Sequence, residues 1–145
     1  MRYMMMIKCT KDSEAGIPPN PELMAGMAKL TEEMVKAGKL LASDGLQPTS
    51  KGTRLKYSGG KRTVIDGPFA EAKELIGGYW MIQVKSKEEA IEWAKRCPAS
   101  RNEVIEVRQV QELADFPAHV QEAAAKLPEM QAQPGRRRGR DAAAS

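Results

Sequence analysis

The sequence has few of the residues from which common catalytic and metal sites are built. It contains two cysteines, Cys9 and Cys97, and a single histidine, His119. Two thiols and one imidazole make neither a disulfide framework nor a usual zinc site, so we expect no metal and no cofactor. The sequence also lacks a phosphate-binding loop and a dinucleotide-binding fingerprint. We interpret both cysteines as small buried residues, because free cysteine is among the most buried residue types.

Long hydrophobic runs are missing as well. No apolar stretch approaches the roughly 20 residues that span a bilayer. The apolar N-terminus ends at Lys8 and is too short for the core of a signal peptide. With 41% hydrophobic and 29% charged residues among 145, the composition is typical of one soluble globular domain. We therefore expect a cytoplasmic protein that does not bind membranes.

The folded part also lacks an excess of charge, although the whole chain carries +4. Four arginines and one aspartate within residues 136–141 account for +3, whereas residues 1–135 carry 19 basic and 18 acidic side chains. The basic isoelectric point therefore does not indicate a nucleic-acid groove in the domain, and nucleic acid is not an expected partner. Residues 128–145 are rich in Pro, Gly, Gln, Arg and Ala, and we interpret them as a disordered tail.

Turn and cap signals divide the rest of the chain into strands and helices. Strands are predicted at residues 2–9, 40–46, 53–57, 61–65, 79–84 and 104–110. Helices are predicted between the cap Asn20 and Gly38, from the cap Ser86 through Cys97, and over residues 115–127 counting the cap Asp115. Gly59-Gly60 between two β-like runs predicts a hairpin. This order predicts an α+β domain over residues 1–127, a ferredoxin-like split βαβ fold with an inserted β-hairpin.

Two of the predicted strands are apolar on both faces. They contain Tyr3-Met4-Met5-Met6-Ile7 and Tyr79-Trp80-Met81-Ile82. An antiparallel sheet with one wet face alternates apolar and polar residues, and the predicted helices can cover only the other face. We therefore predict a homodimer in which sheet packs on sheet to form a dimeric α+β barrel. The alternative is a deep apolar groove that holds a small-molecule ligand.

Two carboxylates beside glycines are the candidate catalytic residues. Asp44 precedes Gly45 inside a predicted strand, and Asp66 precedes Gly67-Pro68. Turns at strand ends expose side chains toward clefts, where two carboxylates in different environments can act as acid and base. The alternative is structural: Asp44 at a β-bulge, and Asp66 as the cap of a short helical turn that starts at Pro68.

The remaining candidates are ligand-pocket residues. Aromatic and methionine side chains can line a pocket or simply fill a core. Glu106 and Arg108 alternate with two apolar residues, so we expect them to face the barrel interior, as ligands of an anion or as an ion pair. The predicted pocket set is Met4, Met6, Phe69, Trp80, Glu106 and Arg108.

Six segments, taken in order, resemble the YCII-related, or DGPF-domain, family across nearly all of residues 1–110. They are Met1-Arg2-Tyr3-Met4, Asp44-Gly45-Leu46-Gln47-Pro48, Ser58-Gly59-Gly60-Lys61, Asp66-Gly67-Pro68-Phe69, Glu88-Glu89-Ala90-Ile91-Glu92-Trp93 and Glu106-Val107-Arg108. The resemblance implies a ferredoxin-like dimeric α+β barrel of largely undefined biochemistry. Some related members are small hydrolases or dehydrochlorinases with a His–Asp pair, and DGPF members often accompany extracytoplasmic-function sigma factors in genomes.

Two functional hypotheses remain open. The only histidine lies outside the matching segments, so no His–Asp pair can be carried over. This favours a non-catalytic small-molecule-binding or accessory protein linked to transcription or stress regulation. The alternative is a small-molecule enzyme, isomerase, hydrolase or dehydrochlorinase-like, that uses carboxylates in the barrel pocket. RNA binding through the sheet conflicts with the expected burial of its second face.

Overall fold

The computed structural model describes residues 1–98 and 103–127, apart from the Lys73 side chain. Its strands are β1 (Arg2–Lys8), β2 (Leu40–Gly45), β3 (Thr53–Ser58), β4 (Lys61–Asp66), β5 (Ile76–Gln83) and β6 (Ile105–Gln109). Its helices are α1 (Lys11–Glu14), α2 (Pro21–Lys36), α3 (Lys87–Lys95) and α4 (Ala118–Ala125), and 3₁₀ turns lie at Thr49–Lys51, Ala72–Glu74 and Leu113–Asp115. Residues 1–109 form one compact unit, and the described residues 110–127 belong to a second.

The main sheet is antiparallel and has the strand order β2-β5-β1-β6. Without the β3–β4 hairpin, which forms a separate two-stranded sheet, this is the order of a ferredoxin-like split βαβ fold. The predicted α+β class is therefore confirmed. In the described residues the four-stranded sheet is open and does not close into a barrel.

The first face of the sheet carries the hydrophobic core. Met5 pairs with Trp80 and Tyr3 pairs with Ile82, so these four side chains lie on the same face. Helices α2 and α3 pack against them, and the Trp80 indole N–H donates a 3.1 Å hydrogen bond to Thr31 Oγ1. The buried cluster consists of Tyr3, Met5, Leu30, Met34, Trp80, Ile82, Val84 and Ala90.

The second face of the same strands is also apolar, as predicted. Met4 pairs with Met81 across β1 and β5, and Met6 pairs with Tyr79. Met6 is only 5% exposed, whereas Met4, Tyr79 and Met81 are half-buried. Because α2 and α3 both pack on the first face, neither of them covers this second apolar surface.

Local cap signals fix the ends of the two long helices. Asn20 Oδ1 accepts a 2.8 Å hydrogen bond from Leu23 N, and Gly38 ends the helix at a φ of 70°. Ser86 Oγ accepts from Glu89 N at 3.1 Å, which confirms the predicted start of α3. The Glu89 carboxylate does not complete the reciprocal half of that box, because it accepts from Lys85 N.

Three local predictions were wrong. The register irregularity in β2 lies between Leu40 and Ala42 rather than at Asp44. Asp66 caps no helix at Pro68, because it is the last residue of β4, and the next helical turn is the 3₁₀ turn Ala72–Glu74. The Asp115 carboxylate accepts from Glu112 N and so belongs to a 3₁₀ turn rather than to the cap of α4.

The predicted disordered tail, residues 128–145, lies outside the described residues. Within the described residues, none of the helices combines the length and the apolar character that crossing a membrane requires.

Candidate functional site

An open cleft of about 930 Å³ lies beside the first half of α2. Its walls come from α2, from the α1–α2 segment and from the adjoining ends of β1, β2 and β5. Met24, Ile17 and Leu46 are all more than half exposed at this cleft, so it presents apolar surface that the described residues leave uncovered. The apolar lining residues are Ile7, Ile17, Pro18, Pro19, Leu23, Met24, Met27, Leu46, Pro48 and Trp80.

Polar groups are interspersed among these apolar walls. The uncharged ones include the side chains of Thr10, Ser13, Asn20, Thr31 and Ser43, which supply hydroxyl and amide groups. Among the described lining residues, the charged ones are Asp12, Asp44 and Glu103 with one cation, Lys8. An apolar cavity with a few polar groups is typical of small-molecule sites, and the balance of charge here is acidic.

Asp44 and Tyr79, two of the residues that line the cleft, form a hydrogen-bonded pair on the second face of the sheet. They are cross-strand partners in β2 and β5, and the Tyr79 hydroxyl donates to Asp44 Oδ2 at 3.0 Å. This hydrogen bond, together with the negative charge of Asp44, raises the pKa of Tyr79 because both favour the neutral phenol. The pair therefore presents a carboxylate whose position is fixed by the sheet and by its hydrogen bond.

Asp66 lies at the base of the hairpin, in a turn that docks on the segment after β2. Gly67 N donates to Gly52 O at 3.1 Å, and Phe69 N donates to Thr49 Oγ1 at 3.1 Å. A Cβ atom on Gly67 would lie 1.7 Å from Thr49 O, so only glycine fits this approach. The contacts give the turn a structural role, while a catalytic role of Asp66 stays a prediction.

Glu14 is a residue that the sequence reasoning missed. Its carboxylate accepts hydrogen bonds from Thr49 N, at 3.0 Å, and from the Thr49 hydroxyl. The hydrogen bond from the Thr49 side chain, followed by that from its backbone, lowers the pKa of Glu14. Since Thr49 also accepts from Phe69 N, the three residues join α1, the β2–β3 connection and the turn after β4. No local signal in the sequence links residues 35 positions apart.

The predicted pocket residues do not lie together. Met4 and Met6 are on the second face of the sheet with their β6 partners Arg108 and Glu106, whereas Trp80 is on the first face at the cleft. Phe69 lies outside the main sheet, under the Arg54 guanidinium, whose carbon is 3.8 Å from the ring centroid. The Glu106 carboxylate forms an ion pair with Lys8, and Oε1 lies 3.8 Å from the lysine Nζ.

Neither cysteine is among the residues that line the cleft. Cys9 and Cys97 are half-buried free thiols, less buried than predicted. Burial, followed by the charge of Glu103, raises the pKa of Cys97 to about 11, so this thiol is a poor nucleophile. His119 is exposed on α4. Among residues 1–98 and 103–127, no three His, Cys, Asp or Glu side chains are grouped so as to hold a metal ion.

A split βαβ sheet, a separate hairpin and a docked Asp-Gly-Pro-Phe turn define a small ferredoxin-like α+β protein. The family model described as the YCII-related domain matches residues 1–114, and the chain belongs to that family. A stretch of 73 residues is 37% identical to an uncharacterized protein of Rhizobium meliloti. The match covers 50% of this chain and 59% of that relative, so it spans half of this chain and less than two thirds of the relative.

Proposed function

We propose that this YCII-related protein is a homodimeric small-molecule-binding protein that performs no reaction of its own. The observation that carries the proposal is the open cleft of about 930 Å³, in which the exposed apolar side chains of Ile17, Met24 and Leu46 stand beside a few polar groups. Burying those side chains against a ligand is favourable by about 25 cal/mol per Å² of apolar surface. The cleft therefore supplies a driving force for binding.

The polar lining points to the kind of ligand. Asp12 and Asp44 contribute carboxylates, and Tyr79 holds that of Asp44 in place. Carboxylates accept hydrogen bonds and attract cations, whereas they repel acids. The ligand that fits has an apolar body and a hydroxyl or ammonium group.

The experiment compares two exposed residues of the same helix, using Nile red, a neutral apolar dye. Met24 is 53% exposed in the cleft and Val35 is 59% exposed outside it. We expect Met24→Glu to weaken dye binding by at least tenfold, because it places a charge on the apolar wall. Val35→Glu should leave the dissociation constant unchanged. Equal affinities of both variants, or no saturable dye binding by the wild type, would contradict the proposal.

Homodimer formation is part of the proposal and is supported by the second face of the sheet. Met4 and Met81 lie there, and neither α2 nor α3 covers them. Packing of this face on the same face of a second copy would bury apolar surface symmetrically. The accessory role in transcription or stress regulation rests on the family resemblance alone. It predicts that loss of the protein changes transcript levels.

A carboxylate-based enzyme is the second candidate function, and the Asp44–Tyr79 pair is the observation that favours it. An isomerase, hydrolase or dehydrochlorinase would convert whatever compound the cleft retains. Native mass spectrometry of the purified protein identifies a retained compound. The mass of that compound after incubation then distinguishes binding alone from catalysis. An unchanged compound supports binding alone. A converted compound, with conversion lost in Asp44→Asn, supports the enzyme.

A further inference from the structure

The near-neutral charge of residues 1–135 hides an uneven distribution. Residues 51–66, which contain the hairpin, carry five basic side chains and one acidic one, a net charge of +4. The rest of residues 1–127 carries 14 basic and 16 acidic side chains, a net charge of −2. Positive charge is thus concentrated in one short stretch of an otherwise acidic domain.

The β3–β4 hairpin is separate from the main sheet and exposed along its whole length. Among the described strands it pairs only with itself, and all twelve of its strand residues are exposed. Gly59 and Gly60, with φ values of 56° and 76°, form the tight turn at its tip. Strands of six residues make a two-stranded ribbon about 20 Å long.

The pairing register gives this ribbon two different faces. One face carries Leu55, Tyr57 and Val64 with Arg62. The pairs on the opposite face are Arg54 with Ile65, Lys56 with Thr63 and Ser58 with Lys61. That second face, called here the cationic face, therefore holds three positive charges and two hydroxyl groups.

The charges of the cationic face are not neutralised within the described residues. None of the ion pairs among the described residues includes a hairpin residue. These ion pairs are Lys8–Glu106, Lys36–Glu32, Lys39–Glu89, Lys95–Glu92 and Arg96–Glu33. Arg54 stacks on the Phe69 ring, which is itself anchored through Phe69 N to Thr49. Its guanidinium is thereby held at the base of the cationic face.

We propose that the cationic face of the hairpin binds the phosphate backbone of duplex DNA. A two-stranded β-ribbon fits the major groove of B-form DNA, which is about 12 Å wide, whereas the major groove of A-form RNA is too narrow. Lysine and arginine side chains on the ribbon then contact phosphates and displace counterions, which gives affinity without sequence preference. This surface is independent of the ligand cleft.

The test uses the full chain and a fluorescein-labelled 20-base-pair duplex, with fluorescence anisotropy as the readout. Lys56→Gln/Lys61→Gln removes two charges from exposed strand positions. We expect its affinity to fall at least tenfold at low salt, and the slope of log K against log salt to shrink by about 2, since each phosphate contact contributes about 0.9. Lys29→Gln/Lys87→Gln removes two exposed charges from helices and should behave as the wild type.

Two further measurements distinguish DNA binding by the hairpin from DNA binding by the C-terminal arginines and from membrane binding. A variant with Arg136, Arg137 and Arg138 changed to Gln removes charge from the C-terminal segment and should retain the hairpin-dependent salt slope. Vesicles containing phosphatidylserine test whether the hairpin binds an anionic membrane instead. The proposal is overturned if the wild type does not bind the duplex, or if the hairpin variant binds it as tightly as the wild type. It is also overturned if the arginine variant alone abolishes binding, or if vesicles are bound in preference to the duplex.

Discussion

At the scale of single residues, the Thr49 hydroxyl joins segments that are distant in sequence. It donates to the Glu14 carboxylate and accepts from Phe69 N, while Thr49 N donates to the same carboxylate. Hydrogen bonds to an ionised group are stronger than neutral ones, so the charge of Glu14 matters for this network. Its contribution to stability therefore depends on pH.

The pH dependence has a definite sign. The pKa of Glu14 in the folded protein lies below the value of 4.5 for the free side chain. The carboxylate therefore stabilises the fold fully above the unfolded pKa, and this stabilisation is lost as the pH falls through the folded pKa. We expect Glu14→Gln to lower the free energy of unfolding by about 1–2 kcal/mol at pH 7, and the difference from wild type to shrink below about pH 4.5.

Urea denaturation at several pH values measures this effect. Glu22→Gln, at an exposed position in the first turn of α2, is the matched control. A difference between Glu14→Gln and the wild type that stays constant from pH 7 to pH 3 would show that the carboxylate charge plays no part in the network.

The sequence did not predict this network because its residues carry no local pattern. Asn20 and Ser86 could be identified as caps, since a cap acts on a backbone amide three residues away. Glu14 and Thr49 are brought together only by the path of the chain after β2. Trp80 shows the same limit: the apolar run predicted a strand, but only the pairing register decides which face each side chain occupies.

At the scale of elements, the Asp-Gly-Pro-Phe turn positions the hairpin rather than starting a helix. Asp66 pairs with Thr53 as the last rung of β3 and β4, and Gly67 then donates to Gly52 O. The local signal, aspartate before glycine and proline, predicted a helix cap. Docking on the 49–52 segment took precedence, because Gly52 O and Thr49 Oγ1 satisfy the amides of Gly67 and Phe69 from a segment that is distant in sequence.

The close approach of Gly67 to Thr49 gives an element-scale prediction. Gly67→Ala would place a methyl group 1.7 Å from Thr49 O. We therefore expect it to lower the free energy of unfolding by about 2–3 kcal/mol and to reduce hydrogen-exchange protection in β3 and β4. Gly45→Ala is the control, because a Cβ atom there has no neighbour within 4 Å among the described residues.

Hydrogen exchange followed by mass spectrometry reads out both variants on the same peptides. Faster exchange confined to the hairpin in Gly67→Ala, with Gly45→Ala unchanged, would show that the turn holds the hairpin in place. Wild-type stability in Gly67→Ala would show that the turn moves away from the 49–52 segment at little cost.

At the scale of the whole molecule, the alternation of residues along β1 and β5 decides what the protein must bury. The sequence predicted two apolar faces, and the structure places Met5 and Trp80 on one and Met4 and Met81 on the other. Helices α2 and α3 bury the first face. The partner for the second could not be predicted beyond its chemistry, because an apolar surface is recognised by any apolar surface of matching shape.

In the proposed homodimer, the second face of the sheet is the subunit interface. Sedimentation equilibrium of the wild type should give about twice the 16.0 kDa chain mass. Met81→Glu places a charge in the interface, where its desolvation is unfavourable, so we expect this variant to sediment as a monomer while keeping its helical circular dichroism. Val64→Glu, at a hairpin position that is 62% exposed, is the matched control and should remain dimeric. A wild-type monomer, or a Met81→Glu dimer of unchanged affinity, would mean that the second face is not the subunit interface.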